Sequence, residues 1–252
     1  MIHQTKGIVL RTIKYGETSV VVNIFTGLFG IQSYLVNGVR SSGKTLKANF
    51  FQPACILEME VYHNELKNLQ RIKEFKWNYL YKNILNDVVK NSVALYMIEL
   101  LQKCLKQPEE NINLFQFAED AFMQLDTAGD TVTANFPLYF CIHLSHFFGL
   151  KLEDDYSENN SILDLQEGRF ISLAPHHPYF LEKDKSYHIS QLLKVQHPDE
   201  LTEIKLNKSI RREILFALQS FYGLHINDFG TMKTLPILHE ILSVLTMIYW
   251  IQ

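Results

Sequence analysis

The sequence predicts an α+β chain with more than one domain, in which a small antiparallel β-barrel is followed by a mostly α-helical domain. Two observations carry this prediction. Residues 1–78 contain five short stretches rich in β-branched or alternating apolar residues, and turns separate them. From residue 79 onward, apolar residues recur every three or four positions, as on the buried side of a helix. We therefore place a domain boundary near residue 78, with the helical domain over 79–252.

The predicted strands are short and closely spaced, which is typical of a small barrel. The first ends at the turn Gly16-Glu17-Thr18, and the second ends at Gly27-Leu28-Phe29-Gly30. Pro53 is compatible with a strand only at its start or at a sheet edge. The strands are predicted over residues 7–13, 19–26, 31–36, 54–62 and 69–75.

The helical part is predicted to contain one long polar interruption. Residues 151–187 are polar and acidic, and Gly168, Pro175 and Pro178 break them, so we expect a long connection there. Glu153, Asp154, Asp155 and Glu158 form an acidic run in it that reads as a solvated surface. Helices are predicted around residues 80–105, 114–125, 136–148, 190–195, 209–222 and 235–250.

Composition excludes several classes of protein. The chain has 252 residues, 47% of them hydrophobic, which rules out a disordered chain. Its three scattered cysteines, Cys55, Cys104 and Cys141, are typical of reduced thiols in a cytoplasmic protein. The polar first residues predict no signal peptide. The apolar run 241–251 is shorter than the ~20 residues of a bilayer crossing, so we expect a buried helix and no membrane partner.

The charge is divided along the predicted boundary. The whole chain carries −3, yet residues 1–78 contain ten basic and five acidic residues, so this part carries +5 and the remainder −8. A positively charged barrel with exposed aromatic rings suits single-stranded nucleic acid, because cations contact phosphates and bases stack on rings. A solvated charged surface is the alternative interpretation.

Residues Gly38 to Thr45 match the pattern of a phosphate-binding P-loop, with Lys44 in the lysine position. A P-loop opens a helix on a parallel sheet, whereas here Pro53 and a predicted strand follow within two turns. We therefore favour a flexible basic loop. A nucleotide-binding protein that uses Gly38–Thr45 is the alternative.

No spacing in the sequence indicates catalysis. His143 and His146 could ligate a metal, but their apolar neighbours favour a core helix, and His176-His177 reads as a loop. We predict no enzyme activity, no catalytic residues, no cofactor and no metal. A basic rim beside an apolar helix face could take an acidic peptide tail, although an exposed helix edge fits as well. This rim consists of Lys205, Lys208, Arg211 and Arg212.

An ordered set of motifs along the first 75 residues resembles the RecO family of bacterial DNA repair and recombination mediators. The helical remainder agrees with the family in length and class. The motifs are Lys6-Gly7-Ile8-Val9-Leu10-Arg11, Tyr15-Gly16-Glu17-Thr18-Ser19, Ile24-Phe25-Thr26, Gly30, Asn37-Gly38-Val39-Arg40 and Phe51-Gln52-Pro53.

The resemblance implies an OB-fold followed by a helical domain. It also implies binding of single- and double-stranded DNA, annealing of complementary strands, and loading of RecA together with RecR. In this family the helical domain engages the acidic tail of single-strand-binding protein. DNA contact transfers to Arg11, Arg40, Lys44 and Lys47, and more weakly to Lys6 and Lys14. Bases are expected to stack on Tyr15, Phe29 or Tyr34 where these are exposed.

The chain departs from many relatives in one respect. They carry a four-cysteine zinc motif in the region that here runs from Asp155 to Pro178, where this sequence has no cysteine. Structural zinc requires four thiolate or imidazole ligands, so we predict a metal-free version of this segment. A protein–protein adaptor without DNA affinity is a further alternative for the chain as a whole.

Overall fold

The computed structural model describes residues 1–39 and 45–248, which form eight strands and seven α-helices. The strands are β1 (Ile2–Tyr15), β2 (Ser19–Thr26), β3 (Gly30–Val36), β4 (Ile56–Tyr62), β5 (Leu69–Tyr79), β6 (Ile162–Asp164), β7 (Arg169–Ile171) and β8 (Phe180–Leu181). The helices are α1 (Thr45–Asn49), α2 (Val88–Cys104), α3 (Ile112–Thr127), α4 (Asp130–His146), α5 (Lys183–Lys194), α6 (Lys208–His225) and α7 (Thr234–Ile248).

The chain divides into two compact units. The first consists of Met1–Asn83 and Leu101–Asp126, and the second of Ile84–Leu100 and Thr127–Gln252. Most of α3 therefore belongs to the same unit as the barrel strands. The domain boundary near residue 78 stays a prediction.

The first five strands form a closed barrel in the order β1-β2-β3-β5-β4. Neighbouring strands are antiparallel except for β3 and β5, whose parallel pairing over Ser33–Leu35 closes the barrel. Each of the five strands therefore pairs with a neighbour on both sides along part of its length. A five-stranded closed barrel followed by helices confirms the predicted OB-fold and helical domain.

The barrel interior is filled by the inward-facing residues of every strand. Strand geometry sends successive side chains to opposite faces, so alternate positions are buried. Val22 and Ile24 of β2 are fully buried, whereas Val21 and Asn23 between them are partly exposed. The core also contains Val9, Tyr34, Phe51, Leu57, Met59 and Val61.

β1 is long enough to pair with two neighbouring strands along successive parts of its length. It pairs with β4 over Ile2–Ile8 and with β2 over Gly7–Tyr15. The register with β2 shifts between Val9 and Arg11, which is a β-bulge at Leu10. Beyond the bulge, β1 pairs with β2 alone, and every residue from Arg11 to Tyr15 is exposed. These residues form a two-stranded ribbon that presents its side chains to solvent.

The second unit is built around α4, which is buried on most of its surface. Tyr222 of α6 donates a hydrogen bond from its hydroxyl to the Cys141 carbonyl at 2.7 Å, and the Tyr96 hydroxyl lies 2.9 Å from Cys141 Sγ. A helix with apolar residues around its whole circumference occupies the middle of a core, which explains the position of α4.

The segment predicted as a long connection is more ordered than the sequence suggested. Strands β6, β7 and β8 form a small antiparallel sheet within residues 162–181, and α5 begins at Lys183. Three strands of two or three residues are too short to show an apolar alternation in the sequence. None of the helices in the described part of the chain has the length and apolar character that a bilayer crossing requires.

Candidate nucleic-acid interface

The outer side of the barrel presents rows of residues aligned by strand pairing. Ile13 lies opposite Val21, Val21 opposite Leu35, and Leu35 opposite Arg71. We call the outward-facing residues of these strands the outer barrel face. It comprises Arg11, Ile13, Tyr15, Ser19, Val21, Asn23, Ser33, Leu35, Asn37, Tyr62, Leu69 and Arg71.

An apolar row lies across the middle of the outer barrel face. Ile13, Val21 and Leu35 form it, and Arg71 continues it on β5. Tyr15 is 55% exposed at the end of β1, and Tyr62, opposite Arg71, is 47% exposed. Aliphatic and aromatic groups bordered by guanidinium groups can contact bases and phosphates together.

The cations around this face differ in whether an acidic group neutralises them. Within the described residues, Arg11, Lys14 and Lys47 are exposed and form no ion pair. The Lys6 ammonium, in contrast, lies 2.9 Å from Glu119 Oε1 and is half exposed. Its charge is balanced within the protein, so Lys6 has the weakest claim to a phosphate among the predicted residues. Lys73 and Lys76 pair in the same way with Glu60 and Glu58.

Aromatic packing fixes the chain that follows α1. Phe50 stacks on Trp77 with ring centroids 4.3 Å apart, and Phe51 is buried in the barrel core. The Thr12 hydroxyl donates to the Phe51 carbonyl at 2.6 Å, which joins this chain to the exposed half of β1. Lys47 therefore lies only a few residues from an anchor on the strand that carries Arg11. Arg40 and Lys44 lie outside the described residues.

The predicted stacking residues are placed very differently. Tyr15 is exposed, as stacking requires. Phe29 is half-buried and already stacks on His63, with centroids 3.9 Å apart. Tyr34 is fully buried, and its inward position on β3 corrects the prediction that it could stack on a base. Burial also raises the pKa of the Tyr34 hydroxyl.

Two residues of the outer barrel face are not part of any motif that the sequence analysis identified. Tyr62 and Arg71 lie on β4 and β5, outside the motifs shared with the RecO family. The β3–β5 pairing brings Arg71 beside Leu35, and these two residues are 36 positions apart in the chain. A search for charged or aromatic residues at outward positions of all five strands could have found both.

The surroundings of the P-loop match do not resemble a P-loop. Residues 40–44 lie outside the described residues, but the flanking structure is clear. The preceding strand, β3, belongs to the closed barrel and is antiparallel to β2. The following helix, α1, has only five residues. A nucleotide site of this kind needs a parallel sheet and a helix that projects its N-terminus at the phosphate, and the structure on either side of residues 40–44 does not fit this requirement.

The basic rim on α6 is only partly available to a ligand. The Arg211 guanidinium donates to Asn135 Oδ1 at 2.9 Å and to the Leu206 carbonyl at 3.0 Å, so part of its hydrogen-bonding capacity is used within the protein. Lys208, Arg211 and Arg212 line a cavity of about 220 Å³ with His239 of α7. Burial, followed by the nearby Arg212 charge, lowers the pKa of His239 to about 4. Lys205 is exposed but does not line this cavity.

The histidines considered as metal ligands have other partners. His143 Nε2 lies 2.9 Å from the Val195 carbonyl, and burial lowers its pKa. His177 Nε2 lies 3.3 Å from Asp164 Oδ2, while His176 is exposed. Across the described ranges, no three His, Cys, Asp or Glu side chains converge as metal ligands would.

Comparison with known proteins covers almost the whole chain. The family described as Recombination protein O N terminal matches residues 1–81, and Recombination protein O C terminal matches residues 85–166. A DNA repair protein RecO from Phocaeicola vulgatus is 32% identical over 243 residues, which are 96% of this chain and 100% of the relative. A DNA repair protein RecO from Bacteroides fragilis is 32% identical over 242 residues, 96% of this chain and 99% of the relative. On the basis of these matches and its OB-fold barrel, the chain belongs to the RecO family of DNA repair proteins.

Proposed function

We propose that this chain is a non-catalytic mediator of DNA repair and recombination that binds single- and double-stranded DNA on its outer barrel face. With RecR as partner it anneals complementary strands and helps to load RecA onto strands coated by single-strand-binding protein. Its site of action is the bacterial cytoplasm. The observation that carries the DNA contact is the exposure of Arg11, without an acidic partner among the described residues, beside an apolar row. Lys14 is exposed on the opposite side of the same β1–β2 ribbon, where it lies opposite Val20.

Elementary physical chemistry supports a single strand on this face. Exposed cations release the counterions condensed on phosphates, which favours binding of any sequence. Ile13, Val21 and Leu35 offer apolar surface to bases, and Tyr15 offers a ring. A duplex has the same phosphates but hides its bases, so it uses the cations alone.

The cysteines support a role without covalent chemistry. Cys55 and Cys141 are buried, and burial raises the pKa of each thiol to about 12. A nucleophilic cysteine needs a lowered pKa and an accessible sulfur. Neither thiol meets these conditions.

The cavity between α6 and α7 supports a peptide partner. Lys208 and Arg212 provide positive charge, and Leu242 provides apolar surface. This pairing suits the acidic, partly apolar tail of single-strand-binding protein. Lys205 extends the basic surface just before α6, and Arg211 lines the same cavity while it donates a hydrogen bond to Asn135.

The experiment is a titration of a fluorescent single-stranded oligonucleotide with the wild type and the double variant Arg11→Ala/Lys14→Ala. We expect the double variant to bind about tenfold more weakly, since two exposed charge contacts are lost. The control is Lys151→Ala/Lys233→Ala, which removes the same charge from exposed positions of the second unit. This control should remain within about twofold of the wild type.

If both double variants weaken DNA binding equally, the affinity depends on the net charge of the protein and not on the outer barrel face. A wild type that binds its protein partners tightly but has no measurable DNA affinity would contradict the proposal and favour a protein–protein adaptor.

A further inference from the structure

The cavity between α6 and α7 contains a histidine beside three cations. His239 of α7 lines it together with Lys208, Arg211 and Arg212 of α6. All four residues belong to the second compact unit. We call this cavity, which has a volume of about 220 Å³, the α6–α7 cavity. Neighbouring positive charges disfavour the charged form of an imidazole, so His239 stays neutral unless a negative charge enters the cavity.

Aromatic packing positions the His239 ring. Its centroid lies 4.7 Å from that of Phe216, and the two ring planes are tilted by 34°. The Arg212 guanidinium lies over the same Phe216 ring, 5.6 Å from its centroid. Phe216 therefore packs against both the imidazole and the guanidinium, and it is 40% exposed, which leaves apolar surface beside them. An acidic peptide with apolar side chains can contact the cations and this ring together.

The acidic groups near His239 do not balance the cations of the cavity. Glu213 of α6 lies 2.6 Å from the Lys185 ammonium of α5 and accepts a hydrogen bond from the Ser209 hydroxyl at 3.0 Å. The bond from Lys185, followed by that from Ser209, lowers the pKa of the Glu213 carboxyl. Glu240 follows His239 on α7, is exposed and does not line the cavity. Among the described residues, the charged groups that line the α6–α7 cavity are therefore all positive.

A bound carboxylate would change the charge of His239. In the free protein, burial and then the Arg212 charge lower the pKa of His239 to about 4, so its imidazole is neutral at neutral pH. A peptide carboxylate beside the ring favours the charged imidazole and raises this pKa toward its ordinary value of about 6.5. Between these two pKa values, binding of the carboxylate requires the imidazole to take up a proton from solvent, and affinity rises as the pH falls.

We propose that His239 couples capture of an acidic peptide in the α6–α7 cavity to the uptake of a proton, so that the protein binds such a peptide more tightly as the pH falls below neutrality. This inference rests on the proposed peptide partner and adds to it the residue through which acidity regulates that site.

The test measures binding of the rhodamine-labelled peptide Asp-Asp-Asp-Leu-Leu to the full chain by fluorescence anisotropy at constant ionic strength. With a His239 pKa of about 6.5 in the complex, we expect the wild type to bind about tenfold more tightly at a pH of about 5.5 than at about 7.5. His239→Gln keeps a polar side chain but cannot take up the proton, so its affinity should change less than about twofold between the same pH values. His176→Gln removes an exposed histidine of the same unit and is the matched control, which should keep the tenfold change.

Calorimetric titration of the wild type in two buffers that differ in ionisation enthalpy counts the protons without any variant. We expect an uptake of about half a proton per bound peptide at a pH of about 6.5. A wild type that binds the peptide equally well at both pH values and takes up no proton would overturn the inference, as would a His239→Gln variant that keeps the tenfold change. A protein that binds the peptide at neither pH would instead contradict the proposed peptide partner, so the two failures are distinguishable.

Discussion

At the scale of single residues, the Asp126 carboxylate fixes the chain where it leaves the barrel. It is fully buried near the end of α3. Its Oδ1 accepts from the Asn83 backbone N–H at 2.8 Å, and its Oδ2 accepts from the Lys82 backbone N–H at 2.9 Å. The Tyr79 hydroxyl donates to the same carboxylate, and burial followed by the Asp126 charge raises the pKa of Tyr79. The chain that leaves β5 is thereby tied to α3.

Replacing this carboxylate should be costly. We expect Asp126→Ala to lower the free energy of unfolding by about 2–4 kcal/mol, because buried backbone N–H groups lose their acceptor. Urea unfolding monitored by circular dichroism measures the change. Asp120→Ala, at an exposed position of the same helix, should change stability by less than about 0.5 kcal/mol. Equal effects of the two substitutions would show that Asp126 is not a structural anchor.

At the scale of elements, the small sheet of β6, β7 and β8 is tied together by hydrogen bonds from carboxylates and a serine. Asp155 Oδ1 accepts from the Phe170 backbone N–H at 2.9 Å, and Asp164 Oδ1 accepts from the Gln166 backbone N–H at 2.8 Å. Ser186 of α5 accepts from the Leu163 backbone N–H and donates to the Leu181 carbonyl. The acidic run, which the sequence predicts to be a solvated surface, therefore includes Asp155, whose hydrogen bond fixes this segment.

Because this segment is predicted to bind no metal, a chelator should not change the stability of the protein. We expect excess EDTA to leave the thermal midpoint unchanged, since metal that binds only the folded state would otherwise stabilise it. Asp164→Ala should lower the midpoint by about 4–8 °C, which corresponds to about 2 kcal/mol. Differential scanning calorimetry measures both. The control is Glu158→Ala at an exposed position, with no expected shift. A chelator-dependent drop of several degrees would contradict the metal-free prediction.

At the scale of the whole molecule, the separation of charge explains how a chain of net charge −3 could bind a polyanion. Residues 1–78 carry +5, and the remainder carries −8. Screening at physiological salt acts over about 8 Å, so a bound phosphate responds to nearby cations more than to the total charge. Net charge is therefore a poor guide to DNA affinity for this chain.

The salt dependence of single-strand binding should report the number of phosphates neutralised. If the five predicted cations Arg11, Lys14, Arg40, Lys44 and Lys47 each contact one phosphate, log affinity against log salt should have a slope of about −3.5. Affinity would then fall about a hundredfold between 50 and 200 mM salt. Fluorescence anisotropy at four salt concentrations measures the slope. A slope near zero would mean that phosphates do not carry the binding.

The local pattern of the sequence was sufficient to predict the five barrel strands and most helices. Turns at Gly16 and Gly30 and the alternation in Ser19–Thr26 are properties of neighbouring residues, and both glycines have positive φ as tight turns require. The strands β6 to β8 escaped prediction because two or three residues are too few to show a period. Their stability comes from distant partners such as Ser186.

The candidate site was predictable only in part. Arg11, Lys14, Tyr15 and Lys47 are exposed, as a DNA-binding role requires, and motif matching or local charge had selected them. Tyr34 has suitable chemistry, yet burial removes it from the surface available to a ligand. Sequence reasoning identifies residue types, but it does not fix which side of a strand or helix faces the core when neighbouring positions are all apolar or mixed.

The sequence by itself determined the order of the five barrel strands and of the longer helices, the concentration of positive charge in the first third of the chain, and the family to which the chain belongs. The tertiary structure alone decided which side chains share the outer barrel face. Strand period and turn chemistry act over a few residues, whereas the register that places Arg71 beside Leu35 is set by closure of the whole barrel.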